Sequence, residues 1–150
     1  PMITNETIQH VLNIMLKTIL TGSAYPGQKA DQTFFPDIEL VQQTPEIILS
    51  DQHLNQEVEL DVPGYECKII PEEQLAERAA EQGDFPYLVL TELKTSPTSV
   101  VMSLQLKWAV SPNSQEMGKF YMSGGGVRVK FIQEDGEWVS PTGPMATWMS

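Results

Sequence analysis

A chain of 150 residues fits one domain and buries enough surface for a core that needs no disulfide or metal. Its 41% hydrophobic and 19% charged residues are the composition of a folded protein, not of a disordered one. The formal net charge of -11, from nine Lys and Arg against twenty Asp and Glu, disfavours a nucleic-acid backbone or an anionic membrane as partner; it reads first as solubility, with a basic protein or self-association as the sharper alternative.

Residues 4–21 are predicted to form an amphipathic helix. Ile8, Val11, Leu12, Met15, Leu16 and Ile19 recur at i, i+3, i+4 and i+7, with Gln9, Asn13 and Lys17 on the other side. Thr4 or Asn5 can cap its start, and Gly22 sits where a left-handed stop residue belongs. His10 flanks the stripe and reads as a surface or boundary residue. Asn13 breaks the apolar run at 11–16 and no basic segment precedes it, so no signal peptide is read. With Met2 as the natural start, a cytoplasmic location is expected. No apolar run approaches the length of a membrane span.

Gly22, Pro26, Gly27, Pro36 and Pro45 punctuate an irregular connection in which Phe34 and Phe35 plug the core edge. Within it, 37–41 reads as a short strand or turn. Residues 46–50 read as a short buried strand, followed by a single turn through His53 and Leu54 that Ser50 or Asp51 caps. His53 lies beside Asp51, but neighbours in sequence do not face each other on a helix, and no nucleophile is linked to them. The alternation of acid and apolar residues at 57–61 predicts an edge strand whose carboxylates discourage edge pairing. Those carboxylates could take a hard cation, yet they lack the oxygen-rich loop spacing of an EF-hand. Residues 62–65 turn the chain, and 65–70 is predicted to return as a hairpin partner.

Cys67 is the one cysteine, so neither an internal disulfide nor a multi-cysteine metal site can form. It reads as a small core residue. A second helix is predicted over 71–82, with Pro71 in its first turn and Gly83 as its stop. Its apolar stripe is thin: Leu75, Ala76, Ala79 and Ala80. Glu73 and Glu77 are expected at the surface, with Arg78 near them.

Residues 85–139 read as an antiparallel β-meander. The strand at 87–94 is apolar on both faces at its start, with Leu88 and Leu90 on one and Tyr87, Val89 and Leu93 on the other, which predicts an inner position near its beginning. After a turn at 95–98, Val100, Met102, Leu104, Leu106, Trp108 and Val110 fall on every second position. A polar connection at 111–118 precedes a third strand that starts at Phe120. Gly124, Gly125 and Gly126 interrupt it. With no Lys-Ser or Lys-Thr and no helix after them, they read as a bulge or sharp bend and not a phosphate loop. Val127, Val129 and Phe131 then alternate with Arg128 and Lys130. Asp135-Gly136 is the strongest hairpin signal in the chain, and Pro141 ends the return strand. In the apolar tail, Met145, Trp148 and Met149 pack back on the domain or serve as interface residues.

The element order predicts an α+β fold, with the N-terminal helix across a twisted, mainly antiparallel sheet. The closing hairpin, with Val127, Val129, Asp135-Gly136 and Trp138, resembles the last hairpin of cystatin-like and NTF2-like sheets, which implies a similar layout. No catalytic set, metal site or cofactor motif is read. The expected function is a small acidic, non-enzymatic interaction domain with a binding, inhibitor or immunity-type role. The alternative is a small-molecule-binding or enzymatic domain with a pocket between the first helix and the sheet. Its polar candidates are His53, Asp61, Tyr65, Tyr87 and Tyr121.

Overall fold

The amphipathic stripe forms the helix α1, Asn5–Thr21, in a computed structural model that describes residues 3–28, 35–55, 57–111 and 124–148. The Thr4 hydroxyl accepts the Thr7 N–H at the start, and Gly22 closes the end at φ 78°, donating its N–H to Thr18 O. The remaining elements are α2 (Ile38–Gln42), β1 (Ile47–Ser50), β2 (Cys67–Ile70), a 3-10 turn (Glu72–Gln74) and α3 (Leu75–Gln82). Five more strands follow: β3 (Phe85–Ser96), β4 (Ser99–Ala109), β5 (Gly126–Glu134), β6 (Glu137–Val139) and β7 (Pro144–Trp148).

The described strands make one sheet in the order β2-β1-β3-β4-β5-β6, and β7 also pairs with β5. The β3–β4–β5–β6 meander is antiparallel, as predicted, whereas β1 runs parallel to both β2 and β3. The fold is therefore α+β with a mixed, mostly antiparallel sheet. The outer edge of β5 is shared: Ile132–Glu134 meets β6 and Gly126–Val129 meets β7.

One core fills the inner face of the sheet. Val11, Leu12, Met15, Leu16 and Ile19 of α1 lie against Leu88, Leu90, Val100, Met102, Leu104, Leu106, Val127, Val129 and Phe131. A smaller core on the outer face joins Leu75 and Ala79 of α3 to Ile48, Ile70, Tyr87, Val89 and Ala109. Its side chains explain why 87–90 is apolar on both faces: β3 lies under a helix on each side. The outward face of β4, with Ser103 and Gln105, stays polar. A register shift between Leu90 and Glu92 reverses the alternation, so Leu93 opposes Met102 and joins Leu88 and Leu90 on the inner face, not Tyr87 and Val89 as the bare sequence suggests.

The structure corrects three local expectations. Of residues 37–41, Asp37 is a turn residue at φ 57° that caps a short helix, and 38–41 lie in that helix. Residues 57–61 join no strand and run irregularly beside α1. Glu59 donates its N–H to Gln9 Oε1 (2.9 Å), Asn13 Nδ2 donates to Glu59 O (3.0 Å), and the Asp61 N–H donates to Asn13 Oδ1 (2.8 Å). Two helix amides one turn apart thus satisfy a backbone that a neighbouring strand would otherwise pair. Finally, 65–70 does not return as a hairpin: Tyr65 closes a tight turn on Val62, and β2 then pairs with β1 in parallel.

Tyr25 and Phe35 close the core edge; Phe34 lies outside the described residues. Tyr25 is 1% exposed and its ring meets Phe131 edge-on at 5.7 Å, but its hydroxyl has no hydrogen-bond partner among the described residues. Burial pushes this phenol well above its usual range. A buried hydroxyl without a partner costs stability, so Tyr25→Phe is expected to raise stability by about 1 kcal/mol in urea unfolding. A loss of that size would place a bound partner on the hydroxyl.

Candidate functional site

The polar residues singled out in the sequence do not converge. His53 is exposed on the turn after β1, at φ 66°. Asp51 does not orient it: Asp51 Oδ1 accepts the Glu72 N–H at 3.1 Å, at the start of the 3-10 turn. Asp61 is exposed along α1. Tyr65 is half-buried and donates its hydroxyl to Leu20 O at 3.2 Å. Tyr87 lies on the opposite face of the sheet, under α3, with Phe85 6.5 Å away. Burial and then the Glu72 carboxylate raise its phenol above the ordinary value. Tyr121 lies outside the described residues. The space between α1 and the sheet, where the pocket reading placed a ligand, is occupied by the inner core.

Of the tail residues, Met149 lies outside the described residues, while Met145 and Trp148 fall on β7. Met145 is 48% exposed at the register shift between Arg128 and Val129. Trp148 packs back over Gly126: a Cβ there would stand 2.5 Å from its indole ring. The glycine run thus opens β5 where the tail returns. Cys67 is half-buried; burial first, then Glu66 and Asp61, push its thiol up to about 11, so it stays protonated and weakly nucleophilic at neutral pH.

Two features do gather side chains. The first is a cleft of about 380 Å³ at the start of β3, walled by Glu46, Arg78, Gln82, Asp84, Phe85 and Trp108. Arg78 Nη2 donates to Glu46 Oε1 at 2.5 Å, and Asp84 Oδ1 accepts the Ser111 N–H at 2.9 Å. The second is a separation of charge along the fold. Residues 46–84 hold eleven carboxylates against Lys68 and Arg78. Every acidic residue from Glu57 to Glu81 is exposed, and the topology collects them on the crossover, the β2 edge and α3. Lys94, Lys107, Arg128 and Lys130 instead share the outer face of β3, β4 and β5.

Glu92 organises that basic face. Glu92, Ser103 and Arg128 stand in one row across three strands. Arg128 Nε donates at 2.6 Å, Lys94 Nζ lies at 3.1 Å, and Ser103 Oγ donates at 3.1 Å. The Arg128 hydrogen bond, then that of Lys94, holds the Glu92 carboxyl down to about 2, against the burial that opposes it. A carboxyl lowered on folding stabilises fully above its ordinary value of 4.5, and the contribution fades as the pH falls toward 2. Glu92→Gln is therefore expected to unfold at a lower urea concentration than the parent near neutral pH, and the gap is expected to close by about pH 2. A gap independent of pH contradicts this.

Among the described residues, no three His, Cys, Asp or Glu side chains gather to hold a metal ion, and no helix is long and apolar enough to cross a membrane. No protein-family model, curated protein or solved structure matches the chain.

Proposed function

We propose that the chain is a non-enzymatic protein-interaction domain that receives a basic partner on its acidic end, in a binding, inhibitor or immunity-type role. The observation that carries this reading is the exposure of every carboxylate from Glu57 to Glu81 on neighbouring elements. Clustered charge of one sign steers an oppositely charged surface and raises the association rate, and salt screens the attraction over about 8–10 Å at ordinary ionic strength. A lysine-rich peptide titrated into the protein is expected to shift backbone amides of residues 57–81. Its affinity is expected to fall about tenfold or more from low to high salt. Equal affinity at both salts, or shifts confined to other elements, overturns the reading.

The cleft beside Arg78 supports a second reading, a small-molecule site. Its volume lies within the range of ligand pockets, and Phe85 and Trp108 give it apolar walls. A fragment screen observed at the Trp108 indole N–H tests it: binders that also shift Arg78 support the site, and a screen without them removes it.

A further inference from the structure

The outer face of the sheet is half covered. Leu75 and Ala79 of α3 pack over β1, β2, β3 and Ala109, and no described element packs over the rest of β4 and β5. On that bare half, Val101 and Ile132 are only partly buried beside Lys130, with Arg128 in the next row and Lys107 at the other end of β4, opposite Tyr87. Lys107 and Lys130 have no carboxylate partner among the described residues, in a chain with only nine Lys and Arg in all. The helix that covers the other half has the complementary chemistry. Glu73, Glu77 and Glu81 recur every four residues along 72–82, and all three are exposed and without an ion pair among the described residues. Like charges at this spacing weaken a helix on its own. Ala76 and Ala80 between them keep its outer surface low.

We propose that the bare face of β4 and β5 is the docking surface for α3 of a second copy of this chain. In a two-fold arrangement the two sheets face each other with both α3 helices in one layer between them. Each helix rests on its own β1–β3 and fills the bare half of its partner. Such a contact is isologous and closes at two copies. The pitches agree: glutamates four apart on a helix are separated by about 6 Å, and Arg128 and Lys130 along β5 by about 7 Å. Two copies of net charge -11 repel at long range, but salt removes that repulsion before it removes pairs in contact. The dimer therefore strengthens from very low to moderate salt and weakens again at high salt. The inference rests on the reading above in one respect, that carboxylates of this end bind cations outside their own chain.

Sedimentation equilibrium over a concentration and salt series tests it. The full chain is expected to dimerise most strongly at moderate salt. Glu77→Lys or Lys130→Glu is expected to weaken the dimer about tenfold. The two changes together restore it, because the exchanged charges again oppose each other. Should a reversed variant lose its fold by circular dichroism, Glu77→Gln and Lys130→Gln are used, each expected to weaken the dimer. A monomer at every salt, a dimer indifferent to either change, or a double variant that stays monomeric overturns the proposal. A monomeric chain whose 57–66 amides still respond to the lysine-rich peptide overturns the dimer alone. Lost peptide binding with an intact dimer overturns only the basic-partner reading.

Discussion

Gly125→Ala is expected to destabilise the protein by about 3 kcal/mol, a cost at the upper end for an overpacked site. A methyl group at this position would overlap the backbone carbonyl oxygen of Trp148 and would reach 2.8 Å from the ring of Pro36. A side-chain tip can rotate away; a carbonyl held beside β5 by the pairing of Gly126 with Trp148 cannot. The methyl is accommodated only if β7 parts from β5, which exposes Val127 and Val129 along the strand edge. Urea unfolding followed by tryptophan fluorescence reads both the loss of stability and the release of Trp148. Unchanged stability with Trp148 still docked would show that β7 does not close on the glycine run.

Leu104→Ala is expected to cost about 3–4 kcal/mol, the transfer term plus the cavity left behind. Leu104 is 0% exposed; Leu90 stands opposite it on β3 and Val127 on β5, and the α1 stripe belongs to the same core. Few neighbours can move to fill the space, because strands hold two sides and a helix the third. Leu40, 36% exposed on α2, gives the contrast: its truncation is expected to stay within about 0.5 kcal/mol. Similar costs at the two sites would contradict the placement of β4 at the centre.

The sequence made long, regular patterns readable. Seventeen helical residues with a cap at each end, and eleven strand residues alternating inward and outward, repeat their signal often enough to fix type and face. Asp135-Gly136 marked its hairpin because the turn itself requires those residue types. Short segments carried no such redundancy. The four buried residues of β1 do not encode the direction of their neighbours, so the parallel pairing with β2 was not readable. Residues 57–61 alternate acid with apolar as an edge strand would, but their backbone is satisfied by Gln9 and Asn13, far away in sequence. Leu93 changed face through one extra residue, a shift that no period-two pattern announces.

The site was less readable than the fold. His53, Asp61, Tyr65 and Tyr87 were chosen for chemistry, and the topology scatters them over both faces and a loop. The cleft joins the turn before β1, the end of α3 and the start of β3, segments that only the parallel crossover brings together. The charge separation was present in the order of residues all along. It gained meaning only once α3 and the basic strands were found on the same side of the sheet, one covering what the other leaves bare.

All these readings share one premise: the inner face of the sheet is filled by α1, so binding takes place on the outside. Methyl–methyl nuclear Overhauser contacts test that premise most directly. The expected result is a dense set linking Leu12, Met15 and Leu16 to Val100, Met102 and Leu104. Silence between those two groups, or a small apolar probe entering between them, would contradict it.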